Sequence, residues 1–283
     1  MKLLHTIAEV RHLHDEARRD GKRVGLVPTM GYLHDGHASL MRAAAQDNDL
    51  VTATIFVNPL QFGPSEDLAS YPRDLEADMV LAEAAGVDVI FAPEAAEMYP
   101  ERRVLTTVGV SALAQRWEGA SRPGHFEGVA TVVAKLFAIA GECRAYFGEK
   151  DYQQLQVVKR MAFDLSLPVE VIGCPIIREP DGLAMSSRNV YLDTAERRAA
   201  TVLKRSIDQA GEAALAGETS ARRLEELVRQ IIVSEPLARL DYVAVVDTAT
   251  LEPLERVVGE ARLLLTAKVG KPRLLDNAAL RVR

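Results

Sequence analysis

Two imidazoles separated by a glycine, His34-x-Gly36-His37, stand where an apolar run gives way to a helix-like segment, inside Pro28-Thr29-Met30-Gly31-Tyr32-Leu33-His34-Asp35-Gly36-His37. Such a turn suits an anion. The first N–H groups of a helix lack intrahelical partners, and Gly31 and Gly36 allow close approach of backbone and ligand. Donors from His34 and His37 at that point would stabilise a phosphate whose charge grows during reaction, as nucleotidyl transfer requires. Metal binding is the competing use of two histidines. The only further ligands of fitting type are Asp35 and the distant His125, and that spacing matches no standard zinc pattern. Four residues of this kind are, in isolation, more often a solvated turn than a catalytic element, so the weight rests on what accompanies them.

The elements that must position this turn can be read from hydropathy patterning. Short apolar runs at 24–27, 51–57, 87–91, 144–147 and 169–174 alternate with amphipathic segments at 74–85, 126–140 and 151–164. That rhythm predicts a parallel sheet with helices on both faces, a Rossmann-like doubly wound α/β domain, with residues 104–108 as an extra strand. After about Pro175 the rhythm changes. Residues 194–216 and 220–233 read as two helices, with Thr219 or Ser220 capping the second, and 242–246, 261–267 and 273–275 as strands. The expected domains are therefore 1–175 and a smaller α+β domain, 176–283, that covers the active site.

In an open parallel sheet, ligands bind beyond the carboxyl ends of the strands. Each unusual polar cluster here follows an apolar run: Pro28 to His37, then Asn58-Pro59-Leu60-Gln61-Phe62-Gly63, then Gly148-Glu149-Lys150-Asp151-Tyr152-Gln153-Gln154, then Pro175-Ile176-Ile177-Arg178. All four share one sheet edge. Each also has a plainer reading: Asn58-Pro59 is a common turn signal, Asp151 suits a helix N-cap, and His125 at another helix start serves equally as a structural contact. The cluster Gly182-Leu183-Ala184-Met185-Ser186-Ser187-Arg188-Asn189 reads as a loop whose hydroxyls and one guanidinium close over phosphates. Lys150, Arg178 and Arg188 are the cations available to a nucleotide.

Composition narrows the classes. The 283 residues are 48% hydrophobic with a net charge of −6, an acidic balance that argues against a general nucleic-acid binder. No apolar run approaches membrane-spanning length, and the N-terminus lacks a signal peptide's apolar core. Cys143 and Cys174 have no partner spacing and read as reduced core residues of a cytoplasmic protein. His5, His12 and His14, on or near a charged first helix, read as surface residues.

Taken together, Pro28-Thr29-Met30-Gly31 with His34-x-Gly36-His37, Phe56-Val57-Asn58-Pro59-x-Gln61-Phe62, Tyr146 to Gln154 and Gly182 to Asn189 resemble the pantothenate synthetase (pantoate–beta-alanine ligase) family, in family order and over most of the first two-thirds of the chain. The resemblance implies a two-step, AMP-forming ligase. It condenses (R)-pantoate with β-alanine through a pantoyl adenylate, with pyrophosphate and AMP released. By the same resemblance Met30, Gly31, Tyr32, Leu33, His34, Asp35, Gly36, His37, Gly148, Glu149, Lys150, Asp151, Ile177, Met185, Ser186, Ser187 and Arg188 contact ATP, and His37 is the usual proton donor. Gln61 and Gln154 hold pantoate, and Gln61 also lies by β-alanine. Charge on the phosphate would be stabilised by His34, His37, Lys150, Ser186, Ser187 and Arg188. Magnesium is expected on the ATP phosphates; its protein ligands are left open, with Asp78 as a candidate. A homodimer is the family precedent. Partners are small molecules, with no nucleic acid and no membrane. The rival reading is a nucleotidyltransferase of the same superfamily acting on another acceptor, which the neutral Gln61 and Gln154 disfavour because a phosphorylated acceptor calls for cations.

Overall fold

Short strands with apolar residues on both faces build the first sheet: β1 (Lys2–Leu4), β2 (Val24–Thr29), β3 (Leu50–Ile55), β4 (Val89–Phe91), β5 (Cys143–Gly148) and β6 (Val169–Cys174). They pair in the order β1-β4-β3-β2-β5-β6, every pair parallel. The computed structural model describes residues 1–63, 68–101 and 104–282. It divides into two compact units, Met1–Glu149 with Gln153–Pro175, and Lys150–Tyr152 with Ile176–Arg283. The winding runs outward from β2 through β3 to β4, then resumes at β5 on the other side of β2. The switch point therefore lies between the carboxyl ends of β2 and β5, where such sheets bind ligands.

Between the strands run α1 (Ile7–Arg19), α2 (Asp35–Asp47), α3 (Leu75–Ala84), three one-turn helices α4 (Ala95–Met98), α5 (Ser111–Ala114) and α6 (Glu118–Ser121), and the longer α7 (His125–Ala140) and α8 (Tyr152–Asp164). Val27, Met41, Ala53, Ile90 and Tyr146 are buried in one apolar cluster that fixes α2 on the sheet. The Tyr146 hydroxyl donates to Asp47 at 3.1 Å and accepts from the Asn48 amide at 2.8 Å, which anchors the far end of α2.

The second unit carries a three-stranded antiparallel sheet, β7 (Ala238–Val246), β8 (Glu260–Val269) and β9 (Arg273–Arg281), in the order β7-β8-β9. Helices α9 (Thr194–Ala200), α10 (Val202–Leu215) and α11 (Ala221–Val233) bury Leu203, Leu224, Val228 and Ile232 against Leu263 and Leu265. The Ser220 hydroxyl caps α11 by accepting from the Arg223 N–H.

Four expectations need correction. Residues 104–108 form no strand, and the Val108 N–H donates instead to the Thr131 hydroxyl at 2.9 Å. Segment 194–216 is two helices, broken at Thr201, whose hydroxyl turns back to the Arg198 carbonyl at 2.7 Å. Strand β1 was hidden by its length of three residues, and β9 extends past Leu275 through the buried polar pair Asp276-Asn277, which broke the apolar pattern. His14 is fully buried rather than at the surface.

His14 Nδ1–H donates to the Ala140 carbonyl at 3.3 Å, and Nε2 accepts from the Thr52 hydroxyl at 2.8 Å. Burial lowers its pKa from 6.5 to about 4, overcoming the Ala140 hydrogen bond. Cys143 and Cys174 are buried free thiols, and burial pushes the Cys143 thiol up to about 12. Among the described residues no helix is long and apolar enough to cross a membrane. Because unfolding frees His14 to take up a proton, its contribution is fully present above pH 6.5 and is lost as the pH falls toward about 4. The loss is on the order of 3 kcal/mol. Urea denaturation between pH 7 and 4 is expected to show a shallower pH slope in His14→Gln than in the parent chain; equal slopes would place this titration elsewhere.

Candidate active site

At the end of β2 the chain must turn sharply to enter α2, and Gly31 makes this possible with a φ of +84°. A Cβ on Gly31 would lie 2.9 Å from both Asp78 Oδ2 and Ile55 Cγ2, so no side chain fits. Tyr32 follows, also at positive φ. The Tyr32 and Leu33 N–H groups donate to the two carboxylate oxygens of Asp78, at 2.9 and 2.6 Å. Asp78 is 3% exposed on α3, and burial raises its pKa against the lowering effect of those two donors. As a magnesium ligand it fits poorly, because both oxygens are already engaged in holding the turn. Among the described residues no three His, Cys, Asp or Glu side chains gather to hold a metal ion.

Two residues on, His34 and His37 cap α2 reciprocally. The Gly36 N–H donates to His34 Nδ1 at 3.1 Å, and the His34 N–H donates to His37 Nδ1 at 3.3 Å. This is a capping box built from imidazoles in place of a hydroxyl and a carboxylate. The rings lie 4.1 Å apart, tilted by 41°. A nitrogen that accepts carries no proton, so each neutral ring has its hydrogen on Nε2. The local backbone thus selects the tautomer that makes both Nε2 atoms donors, at the positive end of a helix and beside the switch point.

Gln61 belongs to the loop that follows β3, in the turn Pro59–Gln61. Its carbonyl accepts from His125 Nδ1 at 2.8 Å, and α7 approaches so closely that a Cβ on Gly128 would lie 2.2 Å from the Leu60 carbonyl oxygen. His125, 9% exposed, is therefore a structural contact beneath this loop. The Gln61 amide is oriented by Asn58, whose Nδ2 donates to Gln61 Oε1 at 3.2 Å, and its own Nε2 is directed at the Met30 sulfur, 3.1 Å away. Met30 thus joins the two loops. A thioether is a weak acceptor, so Gln61 presents donor character. Further on, Gln153 is 5% exposed and bonded to the Leu113 and Arg116 carbonyls and the Glu118 N–H, whereas Gln154, next in the helix, is half-buried. The first glutamine braces α5 and α6, and the second takes no part in that brace.

Gly148 closes β5, paired with Cys174, and Glu149 leads the chain away at the same sheet edge. The second unit holds Lys150 to Tyr152 and the segment from Ile176. Lys150 Nζ lies 3.6 Å from Asp151, and the Lys150 carbonyl accepts from Asn277 Nδ2 at 2.8 Å. Arg262 donates to Asn277 at 2.7 Å and stacks over the Tyr152 ring at 4.1 Å. Arg178 grips buried Asp276 with two hydrogen bonds of 2.6 and 2.9 Å, so it is a structural cation and leaves the set available to a nucleotide. Ile177 to Met185 form a tight hairpin: the Met185 N–H donates to Ile177, Arg178 bridges Ala184, and Gly182 turns at φ +90°. The Ser186 hydroxyl accepts from the Arg188 N–H at 3.3 Å to start a turn of 3-10 helix, Ser187–Tyr191, and Ser186, Ser187 and Arg188 are half-buried.

The structure places His34 and His37 in one reciprocal cap and Gln61 against Met30, and it adds two roles that the sequence did not point to: Asn58 as the partner that orients Gln61, and Asp78 as the brace of the turn. The signal for Asn58 was the Asn-Pro pair itself, read there only as a turn. For Asp78→Ala we predict a stability loss of about 3 kcal/mol, because two inward N–H groups lose their acceptor. Urea denaturation tests this, and an unchanged midpoint would show that the turn holds without the carboxylate.

Comparison with known proteins places this geometry. Residues 2–279 match the protein family described as Pantoate-beta-alanine ligase. The chain is 53% identical over 282 residues to a pantothenate synthetase of Heliobacterium modesticaldum, covering 100% of both, and 55% identical over 280 residues to that of a Roseiflexus species, covering 99% of both. A pantothenate synthetase structure from Thermus thermophilus superposes with a TM-score of 0.92 at 48% identity, covering 98% of this chain and 99% of that one. The Francisella tularensis pantoate-beta-alanine ligase, solved with β,γ-ATP and β-alanine, gives 0.81 at 32% identity, covering 98% and 97%. With fold, turn and full-length similarity in agreement, the chain belongs to the pantoate–beta-alanine ligase family.

Proposed function

We propose that this chain condenses (R)-pantoate with β-alanine at the expense of ATP, through an enzyme-bound pantoyl adenylate. The observation that carries the reading is the reciprocal His34–His37 cap, which occupies both Nδ1 atoms and so puts the proton of each neutral ring on Nε2, at a helix start beside the sheet's switch point. A carboxylate oxygen of pantoate attacks the α-phosphorus, and the bond to pyrophosphate breaks. The amine of β-alanine then attacks the acyl carbon, AMP leaves, and the amine gives up its proton.

The protein's part is positioning and charge stabilisation. His37 and His34 donate to the phosphate, with His37 as proton donor. The α2 N-terminus, including Asp35 and Gly36, and the Met30 to Leu33 turn line the nucleotide. Lys150 and Arg188 supply cations, and Ser186 can donate its O–H while its oxygen caps the following turn. Ser187, Gly148, Glu149, Asp151, Ile177 and Met185 complete the ATP contacts. Gln61 and Gln154 hold pantoate, and Gln61 also faces β-alanine. Gln61's donor-presenting amide matches an acid and hydroxyl oxygens offering lone pairs. Magnesium enters with ATP as part of the substrate. We also place the enzyme in the cytoplasm as a homodimer, the reduced buried cysteines agreeing with the compartment.

With pantoate and ATP alone, pyrophosphate should appear in a single burst, and AMP should turn over only once β-alanine is added. Absence of AMP under every combination overturns the proposal. His37→Ala should keep its fold, losing about 1 kcal/mol of capping, while adenylation falls by roughly a hundredfold. Unchanged turnover would remove His37 from the chemistry.

A further inference from the structure

Glutamine is nearly symmetric in shape but not in chemistry. Rotated by half a turn, Gln61 would present its oxygen where it now presents its NH2 group, and a site built to donate to substrate oxygens would repel them. What decides between the two orientations lies behind it. Asn58 is 1% exposed and its amide is specified on both sides: Oδ1 accepts from the Leu60 N–H at 3.3 Å, and Nδ2 donates to the Gly128 carbonyl at 3.1 Å. The second hydrogen-bonding direction of Oδ1 is taken by Tyr99, whose hydroxyl donates to it at 2.8 Å.

Tyr99 comes from the loop that ends α4, after β4, and so from a third strand's carboxyl end. Its ring is set by Phe56, with centroids 6.0 Å apart, and by Lys135, whose Nζ lies 5.4 Å from the ring centroid while it donates to the Met98 carbonyl. Burial pushes the phenol up to about 12, so the hydroxyl keeps its proton throughout the working pH range. An acceptor at 2.8 Å then has only one use for that proton.

We infer that Tyr99 is a positioning residue for the acid substrate: its hydroxyl fixes the Asn58 amide, which fixes Gln61 with its NH2 group toward substrate oxygens. The inference rests on the reading of Gln61 as a pantoate contact. Tyr99 touches no substrate itself. Its loss should therefore appear in pantoate affinity and not in ATP affinity.

Tyr99→Phe keeps the ring, its contact with Phe56 and the Lys135 cation, and removes one hydrogen bond. The KM for pantoate should rise roughly five- to tenfold, with KM for ATP and the melting temperature nearly unchanged. Asn58→Asp, which replaces the Nδ2 donor by an acceptor and turns Gln61 around, should raise it at least as much. In a Gln61→Ala background, Tyr99→Phe should add nothing further. If Gln61→Ala raises the pantoate KM while Tyr99→Phe and Asn58→Asp do not, the inference falls alone. If Tyr99→Phe acts equally with and without Gln61, its effect is general loosening and the inference also falls. If Gln61→Ala leaves pantoate KM unchanged, the pantoate assignment and this inference fall together.

Discussion

The turn from β2 into α2 leaves the Tyr32 and Leu33 N–H groups facing inward, and the carboxylate of Asp78 accepts from both. A buried donor without an acceptor costs free energy comparable to a lost hydrogen bond, so the turn and α3 constrain each other. Everything downstream inherits that constraint. The direction in which α2 starts, the reciprocal cap of His34 and His37, the tautomer it selects and the reach of Met30 to Gln61 follow from where Asp78 pins the chain. Gly31 is the other half of the device, since only a residue without Cβ brings the backbone within reach of that carboxylate.

Residues that brace the backbone lie side by side in sequence with residues that do not. Gln153 faces inward and braces three backbone groups, while Gln154 is half-buried. Successive positions on a helix diverge by about 100°, so neighbouring glutamines cannot share one task. The same division sets Arg178 apart from Arg188: one is locked to Asp276, the other follows the serines of a short 3-10 turn.

Patterning made the parallel sheet legible, because strands buried on both faces are written as uninterrupted apolar runs. The histidine turn was legible because residue type and spacing carry chemistry without reference to distant partners. What escaped depended on partners far along the chain. His14 sits on a charged helix and reads as exposed until Thr52 and Ala140 are seen to take both ring nitrogens. Asp78 reads in sequence only as one weak candidate for a magnesium ligand, until its oxygens are found on Tyr32 and Leu33, 46 and 45 residues away. Residues 104–108 have a strand's composition but pair with no strand among the described residues, and β1 has a strand's neighbour but too few residues to signal it. Amide polarity at Asn58 and Gln61 is invisible in sequence, being set by the Tyr99 phenol from another loop and by the Gly128 carbonyl of α7.

Asp276 and Asn277 are consecutive residues of β9; one holds Arg178 at the base of the serine hairpin and the other holds the carbonyl of Lys150. Because a strand alternates its side chains, displacement by one residue exchanges their faces and forfeits both anchors together. A single-residue insertion or deletion between Arg273 and Asp276 would therefore act on two distant segments at once. In relatives of this chain, length variation should be concentrated elsewhere, with the β8–β9 connection free to change only in ways that preserve this register.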